Sequence, residues 1–73
     1  MTNERKMELL AEIMDLSPDA LSPDTVLEEL DEWDSIALIS FIAMMDDEFG
    51  KVVKGMEVKE RKTVAELMAM MEA

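Results

Sequence analysis

At Glu32-Trp33-Asp34-Ser35-Ile36-Ala37-Leu38 the chain turns from loop to helix, and the run it opens continues to Asp46-Asp47-Glu48-Phe49-Gly50. Asp34 and Ser35 are good N-cap and first-turn residues ahead of a long apolar-rich stretch. Gly50 stands where a left-handed C-cap would close the helix. The pattern predicts a helix over Ile36–Phe49, with the Ser35 hydroxyl at its positive, solvent-facing end. Free backbone N–H groups and the helix dipole both favour an anion such as a phosphate there.

Helical spacing divides this segment into two sides. Leu38, Phe41, Ile42, Met45 and Phe49 gather on one and are expected in the core. Ile36, Ser40, Ala43 and Asp47 lie on the other, starting beside Ser35, and form the candidate surface for a partner.

Upstream, Asn3 to Asp15 reads as a first helix capped by Thr2 or Asn3. Met7, Leu10, Ile13 and Met14 follow one helical face, while Glu4, Glu8 and Glu12 fall on a solvated one. Leu16 to Asp34 is a long connection holding both prolines in a short echo, Leu16-Ser17-Pro18-Asp19 and Leu21-Ser22-Pro23-Asp24. Each Ser-Pro-Asp is suited to starting a turn. A loop this long in a small domain is normally functional or has structure of its own. Leu21, Val26, Leu27, Leu30 and Trp33 are expected to fold it onto the helices, with a helical turn at Val26 to Leu30.

Downstream, Lys51 to Lys62 predicts a loop and at most a turn or two of helix around Glu57 to Arg61, with Met56 and Val58 tucked beneath it. Thr63-Val64-Ala65-Glu66 is a capping box that opens the last helix. Val64, Leu67, Met68 and Met71 form its inward stripe, and Met70 falls off that stripe. The expectation is an all-α bundle of three main helices, a short third segment and a long first loop, in one domain over residues 1–73.

The chain has 73 residues, near the lower limit for one hydrophobic core. It contains neither Cys nor His, which removes disulfides, thiolate metal sites and the commonest general base. No apolar run reaches membrane-spanning length, and Met1-Thr2-Asn3-Glu4 shows no secretory pattern, so a cytoplasmic protein is expected. The formal net charge is −11, and no Lys or Arg lies between Met7 and Gly50. Such a body repels nucleic acid and anionic membranes and attracts basic protein patches.

Asp34-Ser35-Ile36, set between an acidic loop and an acidic-ended helix, resembles the attachment site of the acyl carrier proteins, and the resemblance covers nearly the whole chain. It implies that Ser35 receives the 4′-phosphopantetheine arm of coenzyme A, whose thiol carries acyl groups as thioesters between enzymes. It further implies that Asp34 caps the helix and is read by a phosphopantetheinyl transferase. The other implied partners are acyl-transferring or condensing enzymes of fatty-acid, polyketide or related specialised biosynthesis. A monomer is expected. In that family the second helix is acidic where it docks, whereas this chain has Ala37 and Ser40 where relatives often carry acids. The Met-rich core is of the adaptable kind that shelters an acyl chain in carriers, although methionine also simply fills space.

Three alternatives compete with that reading. An aminoacyl or peptidyl carrier stays open, because Trp33-Asp34-Ser35 and an apolar second helix suit it too. An enzyme is poorly served: no His or Lys stands near Ser35 in sequence to activate it, and Asp31, Glu32 and Asp34 read as a solvated acidic loop. An unmodified acidic interaction module needs no serine at position 35. Neither Asp31–Asp34 nor Asp46–Glu48 has the spacing of a calcium loop, so weak divalent binding is expected and a selective metal site is not.

Overall fold

A computed structural model describes residues 2–72. The ends of the expected domain, Met1 and Ala73, lie outside the described residues. Four α-helices follow in order: α1 Asn3–Ile13, α2 Ser35–Phe49, α3 Gly55–Lys59 and α4 Val64–Met70. Between α1 and α2 the chain makes two short 3-10 turns, Pro18–Ala20 and Leu27–Glu29. The expected all-α bundle is the fold found, with α1 packed against α2 and α4, and α3 against α2.

Each helix end has a local cause. Thr2 caps α1 by accepting from the Arg5 N–H at 3.1 Å. The helix stops at Ile13, two residues short of the predicted Asp15. There Asp15 takes φ +55, a left-handed geometry that Asp tolerates better than most residues, and the Leu16 N–H reaches back to the Ala11 carbonyl at 2.8 Å. Gly50 closes α2 at φ +62, with the Lys51 N–H bonded to the Met45 carbonyl. The short α3 begins earlier than the predicted Glu57 to Arg61, because the Lys54 carbonyl accepts from both Glu57 and Val58 and starts the turn at Gly55. Val58 is fully buried, as expected, but Met56 is 76 % exposed: it lies on the outer side of a five-residue helix that has only one side to hide.

The long loop is held by backbone pairing with the start of α4. Val26 and Thr63 form an isolated antiparallel bridge. The Leu27 N–H donates to the Lys62 carbonyl, the Val64 N–H to the Thr25 carbonyl, and the Ala65 N–H to the Pro23 carbonyl, at 2.8, 3.0 and 3.0 Å. Leu21 and Leu27 are buried beneath it. These contacts tie the middle of the loop to the start of α4.

The core takes Leu9, Leu10 and Met14 from α1 and its end, Phe41 and Met45 from α2, and Val64, Leu67, Met68 and Met71 from α4 and its end. The inward stripe expected for the last helix is therefore found complete. On α2 the buried arc is turned by about 50°, at 100° per residue, from the expected one. Ala37 is only 2 % exposed, whereas Leu38, Ile42 and Phe49 are half-buried. Packing of α1 on α2 accompanies this turn, with Leu9 and Ile13 of α1 sharing a groove with Met44.

At the start of α4 the capping box forms as read from sequence. Glu66 Oε2 accepts from the backbone N–H groups of Lys62 and Thr63 at 2.7 and 2.8 Å. These two bonds, the Lys62 one first, hold the Glu66 carboxyl below its ordinary value of 4.5; the Thr63 hydroxyl and the Arg61 charge add to them, and desolvation opposes. A carboxyl depressed by folding stabilises the fold fully above its unfolded value, and that contribution is lost as pH falls through the folded one. Glu66→Gln is therefore expected to melt below the unsubstituted chain at neutral pH, the gap narrowing as the pH is taken below about 4.5. Melting curves across that range check it. A gap that stayed constant would show that the carboxylate charge contributes nothing.

Arg5–Glu8, an exposed pair at 3.2 Å, is the only ion pair among the described residues, so the surplus acid charge is not neutralised locally. Added NaCl or MgCl₂ is expected to raise the melting temperature by screening. No group of three or more acids among the described residues is placed to hold a metal ion. Magnesium and calcium are therefore expected to act equally. A fall in melting temperature, or none of the expected rise, would overturn the repulsion account.

Candidate functional site

Asp34, Ser35 and Trp33 meet where the clamped loop enters α2. Asp34 is the N-cap, with extended backbone, and its Oδ1 accepts from the Ala37 N–H at 3.0 Å. Its carbonyl accepts from the Leu38 N–H at 3.0 Å and starts the helical ladder. Ser35 is the first helical residue and is exposed. Among the described residues the amides of Ser35 and Ile36 have no protein acceptor. The serine oxygen thus stands in water beside two free N–H donors at the positive end of a fifteen-residue helix.

Trp33 holds this corner to the core. It is half-buried and meets the Phe41 ring edge-on, with centroids 6.3 Å apart and planes at 76°. Its backbone N–H donates to the Leu30 carbonyl at 3.1 Å. The backbone at the serine is therefore positioned by a packed ring and a cap.

An open cleft of about 270 Å³ lies at the serine, lined by Trp33, Asp34, Ser35, Leu38 and Lys59. That volume is below the usual range for pockets that enclose a substrate. The chemistry the corner suits is that of a hydroxyl offered to an outside enzyme. Lys59 was not legible as part of this site, because only the packing of α3 on α2 brings it there.

The other candidate residues divide. Ser40, Ala43 and Asp47 line a groove between α1 and α2, together with Leu9, Glu12, Ile13, Met44 and Glu48. Ser40 is half-buried there. Ile36 is 73 % exposed and lies outside that groove, near Ser35. Ile39, which the sequence reading assigned to neither face, is 66 % exposed and continues the apolar surface from Ile36. Its spacing of three from Ile36 is the signal that would have found it.

The description "phosphopantetheine attachment site" is that of a family model that matches residues 7–71. The chain belongs to this family. Its members carry 4′-phosphopantetheine as a covalent prosthetic group, are generally non-catalytic, and work with a phosphopantetheinyl transferase and biosynthetic enzymes. No curated protein and no solved structure gives a significant match to the chain. The residues at the corner fit the group: a solvent-facing hydroxyl, free amides and a cation in one cleft suit a serine-linked phosphodiester. No helix among the described residues is long and apolar enough to cross a membrane.

Proposed function

We propose that residues 1–73 form one acyl carrier domain in which Ser35 is the residue that receives the arm. The observation that supports this reading is the exposed Ser35 hydroxyl at the first position of α2, beside the Asp34 cap. When attached, the arm supplies a thiol on which acyl groups travel as thioesters. Ser35 itself does one thing: its Oγ attacks the pyrophosphate phosphorus that bears pantetheine in coenzyme A. An O–P bond forms, the P–O bond to adenosine 3′,5′-bisphosphate breaks, and the hydroxyl proton passes to a base on the transferase. The carrier supplies no base, consistent with its lack of His.

Asp34 sets the helix entry and presents an acid to the transferase. Ile36, Ser40, Ala43 and Asp47 remain the proposed partner contacts, with Ile39 added to them. Ile36 and Ile39 give this surface an apolar start next to the serine, and Asp46, Asp47 and Glu48 give it an acidic end. Partner enzymes that present an apolar patch rimmed by basic residues match it. We propose acyl cargo of a specialised pathway; the apolar surface equally suits an aminoacyl or peptidyl carrier, and acyl- against aminoacyl-loading enzymes separate the two. The test of the class is intact mass after incubation with coenzyme A, magnesium and a broad-specificity transferase. One added phosphopantetheine supports the reading, and an unchanged mass overturns it.

A further inference from the structure

We infer that the cleft beside Ser35 holds the phosphate-bearing end of the arm, with Lys59 as the counter-charge to its phosphodiester. This deepens the attachment reading and rests on it. Ser35 is itself a wall of the cleft, so the tether begins inside it. Lys59, the last residue of α3, is exposed and pairs with no carboxylate among the described residues. Its charge is therefore uncommitted at the one place in this acidic chain where a new anion would be attached.

Asp34 is the other charged wall. Its Oδ1 is turned onto the Ala37 N–H, which engages that oxygen with the helix end. A phosphodiester on Ser35 then meets the amides of Ser35 and Ile36 on one side and Lys59 on the other. Trp33 and Leu38 give the apolar walls that suit the dimethyl-substituted carbon one methylene beyond the phosphate ester oxygen. At about 270 Å³ the cleft takes only this near end and leaves the thiol free to reach other enzymes. Lys59 is thus a positioning residue for the base of the arm.

The experiment compares ¹H–¹⁵N spectra of the full chain before and after modification, with intact mass recorded on each sample. The Trp33 indole N–H, the only indole in the chain, and the Leu38 amide are expected to shift on attachment. Lys59→Gln is expected to lower the docked-to-free ratio about two- to five-fold, the range for an exposed ion pair, and Lys59→Arg to restore it. High salt should reproduce the Lys59→Gln spectrum. Melting curves of both variants should match the unsubstituted chain, which separates positioning from folding. An unchanged mass overturns the attachment reading itself. A gained arm with Trp33 and Leu38 unmoved overturns the cleft alone. Equal shifts in the unsubstituted chain and Lys59→Gln remove Lys59 from the proposal.

Discussion

Ser35→Ala is expected to gain no phosphopantetheine under conditions in which the unsubstituted chain gains one, and to melt at nearly the same temperature. The serines compete poorly with one another for this role. Ser17 precedes a three-residue 3-10 turn, too short to build a helix dipole. Ser22 shares a hydrogen bond with the Thr25 hydroxyl at 3.1 Å. Ser40 is half-buried in the middle of α2, against α1. Thr2 and Thr63 have their hydroxyls committed as caps. Only at Ser35 does an exposed hydroxyl coincide with free amides at the start of a long helix. The stability half of the expectation follows from the same geometry. Asp34, not Ser35, is the cap, and alanine is a good helix former, so the change should stay within about 0.5 kcal/mol. Intact mass and a thermal melt on each protein check both halves. A phosphopantetheine gained by Ser35→Ala would move the attachment residue elsewhere.

The strongest signals in the sequence were those that act over four residues or fewer. The Asp34 cap and the Thr63–Glu66 box each rest on a side chain and a backbone group three to four positions apart, and the Gly50 stop on a left-handed backbone that glycine adopts freely, so the local sequence alone places them. What could not be read depends on neighbours distant in the chain. Ala37 was placed only through the resemblance, where relatives often carry acids, and an apolar residue on a helix that is apolar nearly all round does not itself say which neighbour covers it. Met56 was expected beneath α3 as one of two apolar points in a charged stretch; the backbone start at Gly55 turned it outward. Lys59 entered the serine cleft only through the packing of α3 on α2. The loop was long in sequence but short in freedom, because its pairing with residues 62–65 is a backbone contact that no side-chain pattern announces.

Phe41→Ala is expected to remove a large share of the stability of the fold. Phe41 is fully buried and heads the largest fully buried side chains among the described residues. Truncating a buried Phe costs about 3–5 kcal/mol, from lost transfer energy and the cavity left behind. A domain of 73 residues has roughly 4–11 kcal/mol in all, at about 0.05–0.15 kcal/mol per residue. The variant should therefore unfold at low urea with a broad transition, whereas Ile39→Ala, on the exposed side of the same helix, should stay within about 0.5 kcal/mol. Loss of the Phe41 ring also removes the edge-on partner of Trp33, so the indole signal should change before unfolding begins. Since Trp33 helps to set the entry to α2, attachment at position 35 should slow by more than the unfolded fraction accounts for. Urea titrations followed by Trp33 fluorescence, with modification rates measured in parallel, read all of this. The opposing force is the methionine content: Met14, Met45, Met68 and Met71 are all buried, and their flexible side chains are the kind that refill a cavity. A measured cost below about 1 kcal/mol, well under the usual range for this truncation, would mean that they do, and that this core is held by adaptable volume and not by the shape of one ring.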